Sequence, residues 1–155
     1  MKKLLILFLV TTLAISCKKK ESKNDVTKES KEVVVQTPTT LVQIGCYEYN
    51  KDGNQILFEI TEINNTVEGT INYVLAEKDA NTGAFSGTLT DDKLIGIYTF
   101  SSEGTESTRE VAFMVKDNQL IEGFGELNET GDAFKNKNNI SYTSTMPLTK
   151  TDCAK

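Results

Sequence analysis

From about residue 42 to residue 148 the apolar residues of this chain recur at alternate positions, and short polar turns interrupt them. A period of two puts successive side chains on opposite faces of an extended strand, whereas a helix needs a period near 3.6. The alternation therefore restricts the chain to an all-β fold. Ile56, Phe58 and Ile60 share a face whose reverse carries Glu59 and Thr61, and Val67, Ile71, Tyr73 and Leu75 stand likewise against Glu68, Thr70 and Asn72. Further segments run from Phe85 to Leu89, Leu94 to Phe100, Val111 to Val115, Leu120 to Leu127 and Ile140 to Leu148. With an opening segment from Val42 to Tyr49 they make eight.

Eight strands joined in order, several by very short links, predict a meander. Closing it into an eight-stranded antiparallel up-and-down barrel, lipocalin-like in plan, removes the exposed edges. A two-sheet β-sandwich is the alternative, but its long crossing connections are missing. Gly69, Gly87, Gly96, Gly123 and Gly125 fall inside the segments, where glycine permits the bends and bulges of a small barrel. Tight turns are predicted at Asn64-Asn65, Asp91-Asp92 and Asp117-Asn118, and longer links at 50–54, 79–83, 101–108 and 128–139. In an up-and-down order the longer links share one end and the termini share the other. Cys46 lies in the first strand and Cys153 just past the last, so closure makes them neighbours and predicts a disulfide.

The domain so read spans residues 41–155. Ahead of it, Met1-Lys2-Lys3, the apolar run Leu4 to Val10 and the small residues before Cys17 have the form of a signal peptide over residues 1–16. The apolar run is shorter than the ~20 residues of a transmembrane helix. Leu13-Ala14-Ile15-Ser16-Cys17 resembles the lipobox of bacterial lipoproteins, in which the cysteine thiol takes a diacylglycerol before cleavage. That reading implies palmitate-type acylation at Cys17 and a membrane anchor, since each buried CH₂ contributes about 0.8 kcal/mol. Lys18, rather than Asp, follows the cysteine and points to the outer membrane, on its periplasmic or surface face. Residues 17–40, rich in Lys, Glu, Ser, Thr and Asn, cannot bury a core and read as a tether spanning on the order of 25 Å.

Charge and composition narrow the function. Residues 41–155 hold nine Lys or Arg against eighteen Asp or Glu, so nucleic acid is not an expected partner. The chain has no histidine, which removes Ser-His-Asp and Cys-His catalysis. Three cysteines at 17, 46 and 153 lack zinc-ligand spacing, and the twelve-residue calcium-loop pattern is missing. Neither an enzyme, nor a metal, nor a cofactor is expected.

Polar residues gather at the end that carries the longer links. Glu77, Lys78, Asp79 and Asn81 close the third strand and its loop, while Glu103, Glu106, Ser107, Arg109 and Glu110 flank the link between strands five and six. By parity Arg109 shares a face with Val111, Phe113 and Val115, and Glu77 with Tyr73 and Leu75, so both are expected to point inward. A buried arginine needs a counter-charge; Glu77 is the first candidate and Glu122, alternating with Leu120 and Phe124, the second. These residues read either as polar anchors of a ligand pocket or as an ion pair plugging the barrel.

Several stretches resemble a group of small uncharacterised lipoproteins from Bacteroidetes: Gly45-Cys46-Tyr47, Glu77-Lys78-Asp79 with Asn81 and Gly83, Ser102-Glu103-Gly104, Arg109 to Phe113, Glu122-Gly123-Phe124-Gly125 and Met146-Pro147-Leu148. The resemblance implies a lipoprotein of a Gram-negative envelope and brings no catalytic residue with it.

Two functions compete. One is a tethered barrel that holds a small molecule or peptide at its open end, with a cavity lined by residues such as Tyr73, Phe85, Tyr98, Phe113 and Phe124. The other is a filled barrel whose long loops contact or inhibit another protein. Both presuppose the anchor, and radioactive palmitate fed to expressing cells should label the wild-type chain but not Cys17→Ser; equal labelling would remove the lipid.

Overall fold

The computed structural model describes residues 41–154 other than Glu103; the leader, Cys17, the tether and Glu103 lie outside the described residues. Eight strands form one antiparallel sheet: β1 Gly45–Lys51, β2 Asn54–Ile63, β3 Val67–Val74, β4 Asn81–Thr90, β5 Lys93–Ser102, β6 Thr105–Lys116, β7 Gln119–Gly123 and β8 Leu148–Thr151. Each pairs with its sequence neighbours and β1 pairs with β8, so the sheet closes into a barrel and the sandwich alternative falls.

The inward faces are those the alternation marks. Ile56, Phe58, Ile60, Val67, Ile71, Phe85, Leu94, Val111, Phe113 and Leu120 belong to one buried cluster. Its centre is aromatic, with the Phe58 ring 4.9 Å from Phe85 in an edge contact and 5.5 Å from Phe113. Gly87 and Gly96 face each other across β4 and β5 to admit these rings. A Cβ on Gly96 would lie 2.7 Å from Phe85 Cζ and 2.5 Å from the Gly87 Cα, so alanine would force the ring out of place. The half of the barrel near the termini is therefore filled.

Three sequence expectations need correction. The links expected at 50–54 and 101–108 are two-residue turns. Asp52 (φ 53°) and Gly53 (φ 75°) both take the left-handed backbone that suits a tight hairpin between right-twisted strands. The strands flanking the other turn run past the barrel rim, where Thr105, Glu106, Ser107 and Thr108 are all exposed, and without a core to face they show no alternation. Lastly, β7 stops at Gly123 and β8 begins at Leu148, in place of segments at 120–127 and 140–148.

What separates β7 from β8 is a connection of residues 124–147. It folds back against the outside of the wall, where Ile140 and Tyr142 pack over Gly123. Their apolar character reflects this outer contact and not a strand. The Glu110 carboxylate, on the outer face of β6 and only 8% exposed, fastens the connection by accepting from the Phe134 N–H at 3.0 Å and pairing with Lys137 at 2.6 Å.

Closure at the seam is narrow. β7 and β8 share two paired positions, and β1 and β8 share three. The disulfide Cys46–Cys153, with Cα atoms 5.1 Å apart at a sequence separation of 107, ties the same seam covalently. A loop of that length restrains the unfolded chain by about 4 to 5 kcal/mol in the chain-entropy model. Urea unfolding of Cys153→Ser, or of reduced wild type, is expected to show a stability loss approaching that size; unchanged midpoints would mean that the strand pairing alone holds the barrel shut.

Candidate functional site

At the barrel end away from the termini, inward residues of several strands face one space. Ile56 stands opposite Tyr73, Tyr73 opposite Asn81, Tyr98 opposite Arg109, and Phe113 opposite Glu122. Two of the four connections at this end are tight turns; the other two, residues 75–80 and 124–147, build the walls of an open cavity of about 310 Å³. Tyr73, Leu75, Arg109, Glu122, Phe124 and Met146 line it, with Lys78, Asp79 and Asn81 at the rim. The cavity falls at the lower end of the size range of small-molecule sites.

Arg109 is the centre of the site. Its guanidinium carbon lies 4.9 Å from the Tyr73 ring centroid, 5.4 Å from that of Tyr98 and 5.6 Å from that of Phe100. Tyr98 and Phe100 stack at 5.0 Å, so two of these rings act as a single aromatic wall. Contacts of this kind stabilise a desolvated cation by about 0.5–2 kcal/mol each. They do not satisfy its N–H groups. Among the described residues the guanidinium makes no ion pair, and its Nε, shut off from solvent, has no hydrogen-bond partner.

Glu122, half-buried like Arg109, is the second charge that faces the cavity. Its carboxylate accepts from the Tyr73 hydroxyl at 3.0 Å. Burial pushes the Glu122 carboxyl pKa up, against the Tyr73 hydrogen bond and the Arg109 charge, which both hold it down. Tyr73 is itself raised well above the usual phenol value, first by burial and then by the Glu122 charge. Tyr98, whose hydroxyl reaches Asn81 Oδ1 at 2.8 Å, is pushed up to about 12, mainly by burial. Both tyrosines are thus neutral donors at ordinary pH.

Of the residues singled out in the sequence, Lys78, Asp79, Asn81, Arg109 and Glu122 come together around this cavity. Glu77 does not. It has left the strand for a turn in which the Lys78 N–H bonds the Leu75 carbonyl, its φ is 62°, and its side chain is exposed. The inward parity that paired it with Arg109 ends at Leu75. Glu110 lies on the outer face as the fastening of the 124–147 connection, and Glu103 lies outside the described residues. Of the expected cavity aromatics, Tyr73 and Phe124 line it and Tyr98 backs Arg109, while Phe85 and Phe113 belong to the filled half. Phe100 and Met146 went unmarked by the sequence reading, although Phe100 shares the parity of Tyr98.

A second, smaller cleft of about 170 Å³ opens beside the first, between β6, β7 and the start of the 124–147 connection. Arg109, Glu122 and Phe124 line both. No protein family, no curated protein and no solved structure matches this chain, so the chemistry of the site stands on its geometry alone.

Because the folded pKa of Glu122 lies above its ordinary value of 4.5, ionising it costs stability. That cost is absent below the unfolded pKa and is complete once the pH exceeds the folded one. Tyr73→Phe removes the hydroxyl that supports the ionised form. Its expected destabilisation, about 1–3 kcal/mol at neutral pH, should shrink as the pH falls to the carboxylate range; urea midpoints of both proteins across that range provide the check, and a pH-independent difference would place the effect in ring packing.

Proposed function

We propose that this chain is a lipid-anchored envelope protein whose barrel binds a small anionic ligand at its mouth. The observation that carries the reading is Arg109: a half-buried guanidinium, held by aromatic faces, with no carboxylate in ion-pair contact and an open cavity in front. A buried cation left unpaired is costly. A structural plug would pair it, whereas a binding site leaves the pairing to its ligand. Arginine suits this role because its planar fork of donors matches a carboxylate or phosphate.

The surroundings favour binding over chemistry. Tyr73 and Tyr98 stay protonated, and the Glu122 carboxylate is tied to the Tyr73 hydroxyl, which leaves the Arg109 guanidinium as the cavity's cation with donors to offer. The sequence supports the rest of the proposal. A lipobox cysteine and a tether would hold the barrel near a membrane by its terminal end, with the cavity at the opposite end free to meet solutes, and the outer membrane is the proposed location.

Titration with acetate and with inorganic phosphate, followed through the Arg109 Nε–H resonance by ¹H–¹⁵N NMR, is expected to give saturable shifts. In Arg109→Gln the affinity should drop roughly 10- to 100-fold, the worth of a charge-assisted hydrogen bond. Shifts that do not saturate in wild type, or binding unchanged by the substitution, would reject the anion site.

A further inference from the structure

We infer that the ligand is amphiphilic: an anionic head group at Arg109 carrying one aromatic ring or a short alkyl chain, which lies in the cleft between β6, β7 and the 124–147 connection. The inference rests on the anion-binding reading above and adds the second half of the molecule.

The cleft is walled by Val111, Phe124, Leu127 and Phe134. Gly125, next to Phe124, leaves room where a side chain would fill it, since a Cβ there would already stand 3.2 Å from Phe134 Cδ1. Two acids also border the space, but both are occupied. Glu110 is held by Lys137 and the Phe134 N–H, and Glu122 by the Tyr73 hydroxyl. What remains polar and unsatisfied is the Arg109 Nε, at the junction with the mouth cavity. An occupant that matches this lining is apolar along its length and presents a single acceptor at its Arg109 end.

Size and exposure agree. A cavity of about 150 Å³ holds a benzene ring, and this one measures about 170 Å³. Phe124 and Leu127 stand 52% and 45% exposed at its edge, although the chain packs comparable residues fully elsewhere. Backbone bridges of Phe124 to Ser141 and of Leu127 to Phe134 place both side chains at this edge.

The test compares acetate, 3-phenylpropionate and the neutral 3-phenylpropionamide by NMR titration of the folded barrel domain in its disulfide-bonded full chain. Binding of 3-phenylpropionate is expected to exceed that of acetate by about tenfold or more, the worth of burying a ring. In Leu127→Ser, an exposed position whose change leaves the core intact, most of that gain should vanish while acetate binding stays the same. Equal affinity for acetate and 3-phenylpropionate would overturn the amphiphilic ligand and leave the anion site standing. An amide that binds as tightly as the carboxylate, with acetate inert, would overturn both.

Discussion

The narrow closure of the barrel governs everything else in this molecule. β7 and β8 are too short to complete the wall, and they meet over two positions near the base, beside the Cys46–Cys153 bond. Sealing a barrel at one end of its seam secures the fold, because the remaining strands pair along most of their length. It also leaves the other end of the seam unsealed. β6 pairs with β7 only from Ala112 onward, so the stretch from Thr105 to Val111 has a strand partner on one side alone. The 124–147 connection crosses this gap with a single backbone bond at Glu110 and otherwise packs outside the wall. The mouth cavity and the apolar cleft are the space that results.

That gap explains how an arginine can occupy a core-facing position. A fully closed eight-stranded barrel fills its interior with side chains, as this one does around Phe58, Phe85 and Phe113. Toward the mouth the same inward parity carries Arg109, Tyr73, Tyr98 and Glu122. Apolar burial and polar function thus follow from one alternation read at two levels of the barrel.

How far the sequence revealed this depended on whether a residue had a core to alternate against. Parity placed Arg109 and Glu122 inward correctly because Val111, Phe113 and Leu120 fix the phase of their strands. The cysteine positions likewise implied closure. Parity failed for Glu77, two residues beyond a buried position but past the end of β3, where a left-handed turn resets the direction of the side chain. It also failed for Ile140 and Tyr142, whose apolar side chains serve the outside of the wall over Gly123. The Asp52-Gly53 turn was written in the sequence as a standard hairpin dipeptide, and the polar flanks obscured it. No local signal marked Leu127 and Phe134, because their cleft is made by a connection folding back across the sheet.

Tyr73 gives the site its particular character. Its ring lies against the Arg109 guanidinium and its hydroxyl donates to the Glu122 carboxylate, so one side chain serves both charges. The arrangement keeps a positive group oriented, partly desolvated and uncommitted. On the anion-binding proposal, an arginine already oriented by three aromatic rings loses less freedom when it binds. The rigidity that holds this arrangement comes from below, where the aromatic core and the Cys46–Cys153 bond fix the strands that carry Tyr73, Arg109 and Glu122.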